Sequence, residues 1–326
     1  MAKSDQIKAL IRSFAEGDAD RFYRVALQVA ADEARRGHAN VAKELRDTID
    51  SSREQTLTNP PTRPVPLARA PRELDEVVTV SYPSVRLGSM VLANETRESL
   101  ERLLAEHRQR ARLERYALQP RRKLLLVGPP GTGKTMTARV LAAELKLPLF
   151  EVRLESLITK YMGETAIKLR VVFDAMKHQR GVYLFDEFDS LGPERTAGND
   201  VGEIRRVVNS FLQFLEADDS NSVIVAATNH PQLLDRALFR RFDDVVRYDL
   251  PDVAQCADLI ANTLTEFALD DGTLLEASSV AVGLTHADVS SASRDAAKVV
   301  VLAGGESLGA EVLSAAFERR KKRAEH

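Results

Sequence analysis

The feature that most constrains this 326-residue chain is a glycine-rich octapeptide that ends in lysine and threonine. Residues 128–135 read Gly-Pro-Pro-Gly-Thr-Gly-Lys-Thr and fit the pattern G-x-x-x-x-G-K-[ST]. An apolar run at 123–127 leads into the octapeptide, and a helix-forming stretch at 135–145 follows it. Strand, glycine loop and helix in this order let backbone N–H groups and a helix N-terminus surround a phosphate. The octapeptide therefore predicts a phosphate-binding loop.

The residues expected to bind ATP lie in this loop and in the first turn of the helix. Lys134 would reach the β- and γ-phosphates, and the Thr135 hydroxyl would ligate Mg²⁺. The glycines would let the main chain turn its N–H groups toward the phosphates. The full set is Gly128, Gly131, Thr132, Gly133, Lys134, Thr135 and Met136.

An acidic pair ends a second apolar run. Residues 182–189 read Val-Tyr-Leu-Phe-Asp-Glu-Phe-Asp, so a buried strand would deliver two carboxylates to the phosphates. We expect Asp186 to hold Mg²⁺ through water and Glu187 to act as the general base that polarises the attacking water. Asp189 could equally cap a helix, orient a neighbour or take part in catalysis.

β-rich runs alternate with helical stretches through the middle of the chain. Strands are predicted at 123–127, 148–152, 181–185, 222–227 and 244–248, with helices such as 135–145 and 204–215 between them. This alternation predicts an α/β fold with a doubly wound parallel sheet covered on both faces. Ligands of such sheets bind at the C-terminal ends of the strands.

The chain divides into four zones. Three amphipathic stripes in 1–55 predict an N-terminal helical bundle that would serve as an adaptor. A proline-dense segment, 56–73, reads as an extended linker. Residues 74–250 would form the α/β domain, and 251–326 a C-terminal helical lid.

Composition narrows the class and the location. The chain is 44% hydrophobic and 29% charged, with a formal net charge of −2, which is typical of a globular protein and gives no reason to expect nucleic-acid or membrane binding. One cysteine, no apolar run near the ~20 residues needed to cross a bilayer, and no signal-peptide pattern predict a cytoplasmic protein. The basic stretch at 319–323 is typical of a solvated helix end. The less favoured alternative is a binding site for nucleic acid or a partner protein.

Residues 86–318 resemble the AAA family of ATPases, which extends these expectations. Residues 159–165, Thr-Lys-Tyr-Met-Gly-Glu-Thr, are similar to the family's aromatic pore loop. The resemblance implies that Lys160, Tyr161 and Met162 line a central channel and that Tyr161 grips a polypeptide. Ordinary packing is the alternative for such an aromatic pair.

Two further segments carry catalytic expectations from the same resemblance. Asn229, at the end of an apolar run, would hydrogen-bond the attacking water or the γ-phosphate. Arg240 and Arg241 resemble the arginine-finger segment, which would reach into the ATP site of a neighbouring subunit. Which of the two is the main finger stays open, with a slight preference for Arg240. Residues 283–297 resemble the lid signature, which implies that they close over the adenine. His286 stands where a glycine is usual and is expected to be structural, not catalytic.

The expected function is an ATP-hydrolysing motor that assembles into a ring, with six subunits implied by the resemblance, and remodels, unfolds or translocates a protein. The alternative is a nucleotide-dependent switch or scaffold with slow turnover, which could serve a separate effector such as a protease. A nucleic-acid motor is disfavoured because the charge is near neutral. The hydrolase-like pattern Gly-Glu-Ser-Leu-Gly at 305–309 follows a helical stretch, so Ser307 is expected to cap the next helix instead.

Overall fold

A computed structural model describes residues 77–157, 164–188, 201–234, 236–305 and 307–324. The strands are β1 Val78–Ser81, β2 Lys123–Val127, β3 Leu149–Val152, β4 Val182–Phe185, β5 Val223–Thr228 and β6 Asp244–Arg247. The helices are α1 Asn94–Arg108, α2 Arg110–Glu114, α3 Lys134–Leu145, α4 Leu154–Leu157, α5 Glu164–His178, α6 Val201–Ala217, α7 Arg236–Phe239, α8 Val253–Thr263, α9 Asp271–Ala281, α10 His286–Leu302 and α11 Ala310–Ala324.

The sheet has the strand order β1-β3-β4-β5-β2-β6. Strands β2 to β6 are parallel, as the alternation of strands and helices predicts. The central strands β4 and β5 are buried at every residue, which explains their unbroken apolar sequences. The sequence analysis missed β1, which pairs antiparallel with β3 so that Val78 lies opposite Val152. The parallel sheet therefore ends in an antiparallel edge strand.

Helices cover both faces of the sheet. On one face, Leu100 of α1 and Leu141 of α3 belong to a buried cluster with Leu184 of β4. The other face carries an aromatic layer in which Phe185 of β4 packs edge-on against Phe211 of α6, with ring centroids 5.0 Å apart. Because neighbouring residues of a strand point to opposite faces, β4 contributes to both layers. The doubly wound prediction holds for the described sheet.

The C-terminal helices α8 to α11 pack around a core of their own, which includes Ile260, Leu313 and Phe317. Side-chain caps fix the starts of α8, α9 and α10. Asp252 begins α8 with a reciprocal capping box that includes Gln255. Caps of this kind fix where each helix begins and therefore which residues the lid turns toward the rest of the molecule.

Several sequence predictions fall outside the described residues. These are the helical bundle of 1–55, the linker of 56–73, the loop residues Lys160, Tyr161 and Met162, and the role of Asp189. The predicted cap at Ser307 is wrong, because α11 begins at Ala310, three residues later. No helix in the described part of the chain is long and apolar enough to cross a membrane.

Candidate active site

The phosphate-binding loop follows β2 and needs glycine for two separate reasons. Gly131 and Gly133 have φ angles of +74° and +103°, which side chains other than glycine rarely tolerate. Gly128 has a φ of +151°, and a Cβ there would lie 2.1 Å from the carbonyl oxygen of Tyr248. The glycine spacing read from the sequence thus corresponds to a tight turn that packs against Tyr248, the residue after β6.

Helix α3 begins directly at the end of this loop. The first N–H groups of a helix lack partners within it, and Gly133, which precedes α3, has no side chain to cap them. Lys134 lies at the first position and is only 6% exposed. Its Nζ donates to the carbonyl oxygens of Gly128 and Pro129 at 2.8 and 2.7 Å. A buried positive charge at the N-terminus of a helix suits the binding of an anion.

The acidic pair lies beside the same helix turn. Thr135 Oγ1 donates to Asp186 Oδ2 at 2.6 Å, so the two residues expected to hold Mg²⁺ are in contact. Mg²⁺ prefers oxygen ligands and usually takes one or two from the protein and others from phosphates. A hydroxyl and a carboxylate at this distance, next to a phosphate loop, fit that ion.

Glu187 follows in an unusual backbone conformation. Its φ is +50°, in the left-handed region that non-glycine residues rarely adopt. Its N–H donates to Asp186 Oδ1 at 2.9 Å, and its side chain is exposed. The turn therefore points the two consecutive carboxylates in different directions: that of Asp186 lies beside Thr135, and that of Glu187 is open to solvent. Strain of this kind clusters at functional sites.

A cavity of about 500 Å³ joins these groups. Its lining includes the loop, the acidic pair and Asn229, which follows β5. Met90, Val91, Leu259 and residues of α10 line the same cavity. Polar and apolar groups around one cavity suit a molecule that carries both phosphates and a flat base.

The lid contacts the phosphate loop through its main chain. The N–H of Ala287, in the first turn of α10, donates to the carbonyl oxygen of Gly131 at 3.0 Å. Thr285 caps α10 by accepting from the Asp288 N–H. Burial works against the charge of Asp288, but hydrogen bonds from Thr285 and Arg320 outweigh it and lower the pKa of this carboxyl. The basic residue Arg320 of α11 thus helps to fix the start of the helix that meets the loop.

A buried hydrogen bond connects the helix after the loop to the residue after β6. The hydroxyls of Thr137 in α3 and Tyr248 after β6 are 2.6 Å apart. Burial raises the pKa of Tyr248 well above its ordinary value, so the phenol stays neutral. The Tyr248 N–H also donates to Val127. Helix α3, which carries Lys134, is therefore connected through Tyr248 to β2.

The two arginines expected to act as fingers differ in their surroundings. Arg241 Nε forms an ion pair with Glu216 at 2.6 Å, at the end of α6. Arg240 is exposed, and among the described residues it has no ion pair. Neither arginine belongs to the described lining of the cavity in its own chain.

Sequence reasoning identified the phosphate loop, the acidic pair and the lid segment 283–297, which supplies His286, Ala287 and Ser290 to the cavity. It missed Met90, Val91 and Leu259, which line the cavity without any motif of their own. A usable signal was the burial expected of an apolar pair, Met90 and Val91, just before an amphipathic helix. The fold and this site define a P-loop nucleoside triphosphatase.

Comparison with known proteins narrows the class to one family. The model of the ATPase family associated with various cellular activities (AAA) matches residues 124–250. A Sinorhizobium fredii protein called uncharacterized AAA family ATPase y4kL is 36% identical over 254 residues, which are 78% of this chain and 76% of that protein. The chain therefore belongs to the AAA family of ATPases.

Two other relatives match smaller parts or less closely. The ATP-dependent zinc metalloprotease FtsH 2 of Sorangium cellulosum is 35% identical over 217 residues, which are 64% of this chain but 36% of that protein. The crystal structure of the FIGL-1 AAA domain is 23% identical, covers 78% of this chain and 92% of that one, and has a TM-score of 0.61. At that identity the second comparison establishes the fold alone.

Proposed function

We propose that this protein is a ring-forming motor that hydrolyses Mg-ATP and uses the energy to remodel, unfold or translocate a protein, with six subunits as the expected assembly. The contact between Thr135 and Asp186 beside Lys134 carries the hydrolytic part. It joins a phosphate loop, a metal-binding oxygen pair and an adjoining carboxylate in one cavity.

Each group has a distinct part in the proposed reaction. Lys134 and the N–H groups at the start of α3 would bind the phosphates, and Thr135 and Asp186 would hold Mg²⁺, which would neutralise developing charge on them. Glu187 would accept a proton from the attacking water, and Asn229 would orient that water. The exposure of Glu187 supports this role because water can reach its carboxylate.

The arginines support a site completed by a neighbouring subunit. Arg240 is exposed and lies outside the described lining of the cavity of its own chain, so it is available to another chain. A guanidinium supplied in this way can raise the hydrolysis rate by about 10³–10⁵. Arg241 is held by Glu216 and would position the segment.

The first experiment measures ATP turnover per subunit over a wide range of protein concentration. Wild type should hydrolyse ATP more rapidly as rings form. Glu187→Gln should bind ATP and turn it over very slowly, and Lys134→Ala should not bind it. Normal turnover by Glu187→Gln would show that another group is the base.

A mixing experiment tests the shared site. Arg240→Ala and Glu187→Gln are each expected to be inactive, but a mixed ring can place an intact Arg240 beside an intact Glu187. Mixtures should therefore recover part of the activity, with Arg241→Ala as the comparison for the second arginine. No recovery at any ratio would contradict catalysis across subunits.

Protein remodelling is tested at the loop of residues 159–165. Tyr161→Ala should keep basal ATP turnover and lose the unfolding of a tagged protein substrate, whereas Tyr161→Phe should keep both. The control is Ile167→Ala, because Ile167 is an exposed apolar residue on α5 outside that loop. A Tyr161→Ala variant that still supports the protein's cellular function would favour the nucleotide switch.

A further inference from the structure

His286 occupies a special place in the cavity. It is the first residue of α10, it is half-buried, and its side chain forms part of the cavity lining. The next residue, Ala287, is hydrogen-bonded to Gly131 of the phosphate loop. His286 is thus adjacent in sequence to the residue that contacts the loop, and it stands at a position where the family that the chain resembles usually has glycine.

One nitrogen of the His286 imidazole has no hydrogen-bond partner among the described residues. This atom, Nδ1, is buried. A buried nitrogen without a partner destabilises a protein, so such an atom needs a compensating role. Rotation by 180° about the second side-chain torsion, which is a soft twofold torsion in histidine, exchanges Nδ1 with Cδ2. A ligand beside the ring could therefore satisfy this nitrogen.

The surroundings suit a nucleotide base. Met90, Val91 and Leu259 line the same cavity as His286 and offer apolar surface to a flat ring. Burial lowers the pKa of His286, so the imidazole is neutral near pH 7 and provides one donor and one acceptor. Adenine presents a neighbouring acceptor, N7, and donor, the N6 amine. The imidazole can therefore make one hydrogen bond to this edge, either from its N–H to N7 or from the N6 amine to its unprotonated nitrogen.

We propose that His286 makes a hydrogen bond to the adenine base of the bound nucleotide and thereby increases the affinity for adenine nucleotides over bare phosphates. This contact presupposes the ATP site proposed above, because the phosphate loop would set the position of the base. It assigns a specificity role to a side chain that the family's glycine cannot supply.

The test compares ADP with inorganic pyrophosphate as ligands, measured by isothermal titration calorimetry on the full chain. His286→Phe keeps a ring of similar size without nitrogens, and His286→Gln keeps a donor and an acceptor. We expect His286→Phe to weaken ADP binding about three- to tenfold and to leave pyrophosphate binding unchanged. His286→Gln should recover most of the loss. His178→Phe, at an exposed histidine outside the described lining, is the control and should match wild type.

Three outcomes would overturn the contact. Retained ADP affinity in His286→Phe would exclude a hydrogen bond from the ring. Equal weakening of ADP and pyrophosphate would mean that His286 acts on the loop and not on the base. A wild-type protein that binds pyrophosphate but not ADP would remove the base contact, whereas one that binds neither ligand would overturn the ATP site as well.

Discussion

At the residue scale, the phosphate loop depends on the absence of a single methyl group. A Cβ on Gly128 would lie 2.1 Å from the Tyr248 carbonyl oxygen and 2.8 Å from the Tyr248 Cβ. Backbone atoms cannot move aside as the end of a flexible side chain can. The segment after β6 would have to shift, together with the buried hydrogen bond between Tyr248 and Thr137.

We therefore expect Gly128→Ala to lower the free energy of unfolding by about 1–3 kcal/mol, because overpacking of this size forces backbone shifts. Nucleotide binding should weaken as well. Urea unfolding followed by circular dichroism measures the first effect. Gly88→Ala is the matched control, since no atom lies within 4 Å of a Cβ built there. Equal stability of the two variants would contradict the close approach.

The residues of the phosphate end could be predicted because their chemistry follows from short-range spacing. Lys134 and Thr135 lie within the octapeptide, and Asp186 directly follows an apolar run. The apolar part of the lining could not be predicted in the same way. Met90, Val91 and Leu259 come together only through the fold, from positions far apart in the chain, and their residue types are those of ordinary packing.

At the scale of elements, an ion pair fixes the end of α6 to the start of β2. Arg122 donates from its guanidinium to the Asp218 side chain and to the Asp218 carbonyl oxygen. The Asp218 side chain has no exposed surface, and that of Arg122 is 14% exposed. Asp218 also accepts from the hydroxyl of Ser220. The carboxylate therefore depends on Arg122 for compensation of its charge.

Removal of one partner leaves an uncompensated buried charge, which typically costs about 3–5 kcal/mol. We expect Arg122→Met to lower the free energy of unfolding by that amount. The double variant Arg122→Met with Asp218→Asn should recover a large part. Arg115→Met, at an exposed position, should change stability by less than about 0.5 kcal/mol. A double variant no more stable than Arg122→Met would show that the lost contact is not electrostatic.

The elements themselves were mostly readable from the sequence. Strands β2, β4 and β5 have nearly continuous apolar runs, since both faces of the sheet are covered. Strand β1 has four residues, of which Val78 is buried, Thr79 is exposed and half are polar. So few residues give little periodic signal. Its pairing with β3, about 70 residues away, is decided by tertiary structure.

At the scale of the whole molecule, buried histidines make stability depend on pH. Burial lowers the pKa of His107, and the charges of Arg180 and Arg110 act in the same direction. The hydrogen bond to Arg121 and the charge of Glu106 oppose them. His286 also has a pKa lowered by burial. The unfolded chain thus binds protons more readily than the folded one, and folding stability should fall as pH decreases.

The loss should begin near the ordinary histidine pKa of 6.5 and continue as the pH passes through the lowered folded values. Each histidine contributes at most about 1.4 kcal/mol per pH unit. Urea unfolding between pH 7.5 and 5.5 at constant ionic strength measures this slope. His107→Gln, whose amide can still donate to the Arg121 carbonyl, should reduce it. His178→Gln, at an exposed site, should not. An unchanged slope in His107→Gln would exclude that residue as a source.

The contact between Ala287 and Gly131 has a consequence for how this protein can vary during evolution. The bond joins an N–H and a carbonyl oxygen, so side-chain replacement does not delete it, except for proline at 287, which removes the donor. The lid can therefore exchange residues beside the loop without losing its attachment. Position 286, next to this bond, can thus carry histidine while the attachment of the lid to the phosphate loop is preserved.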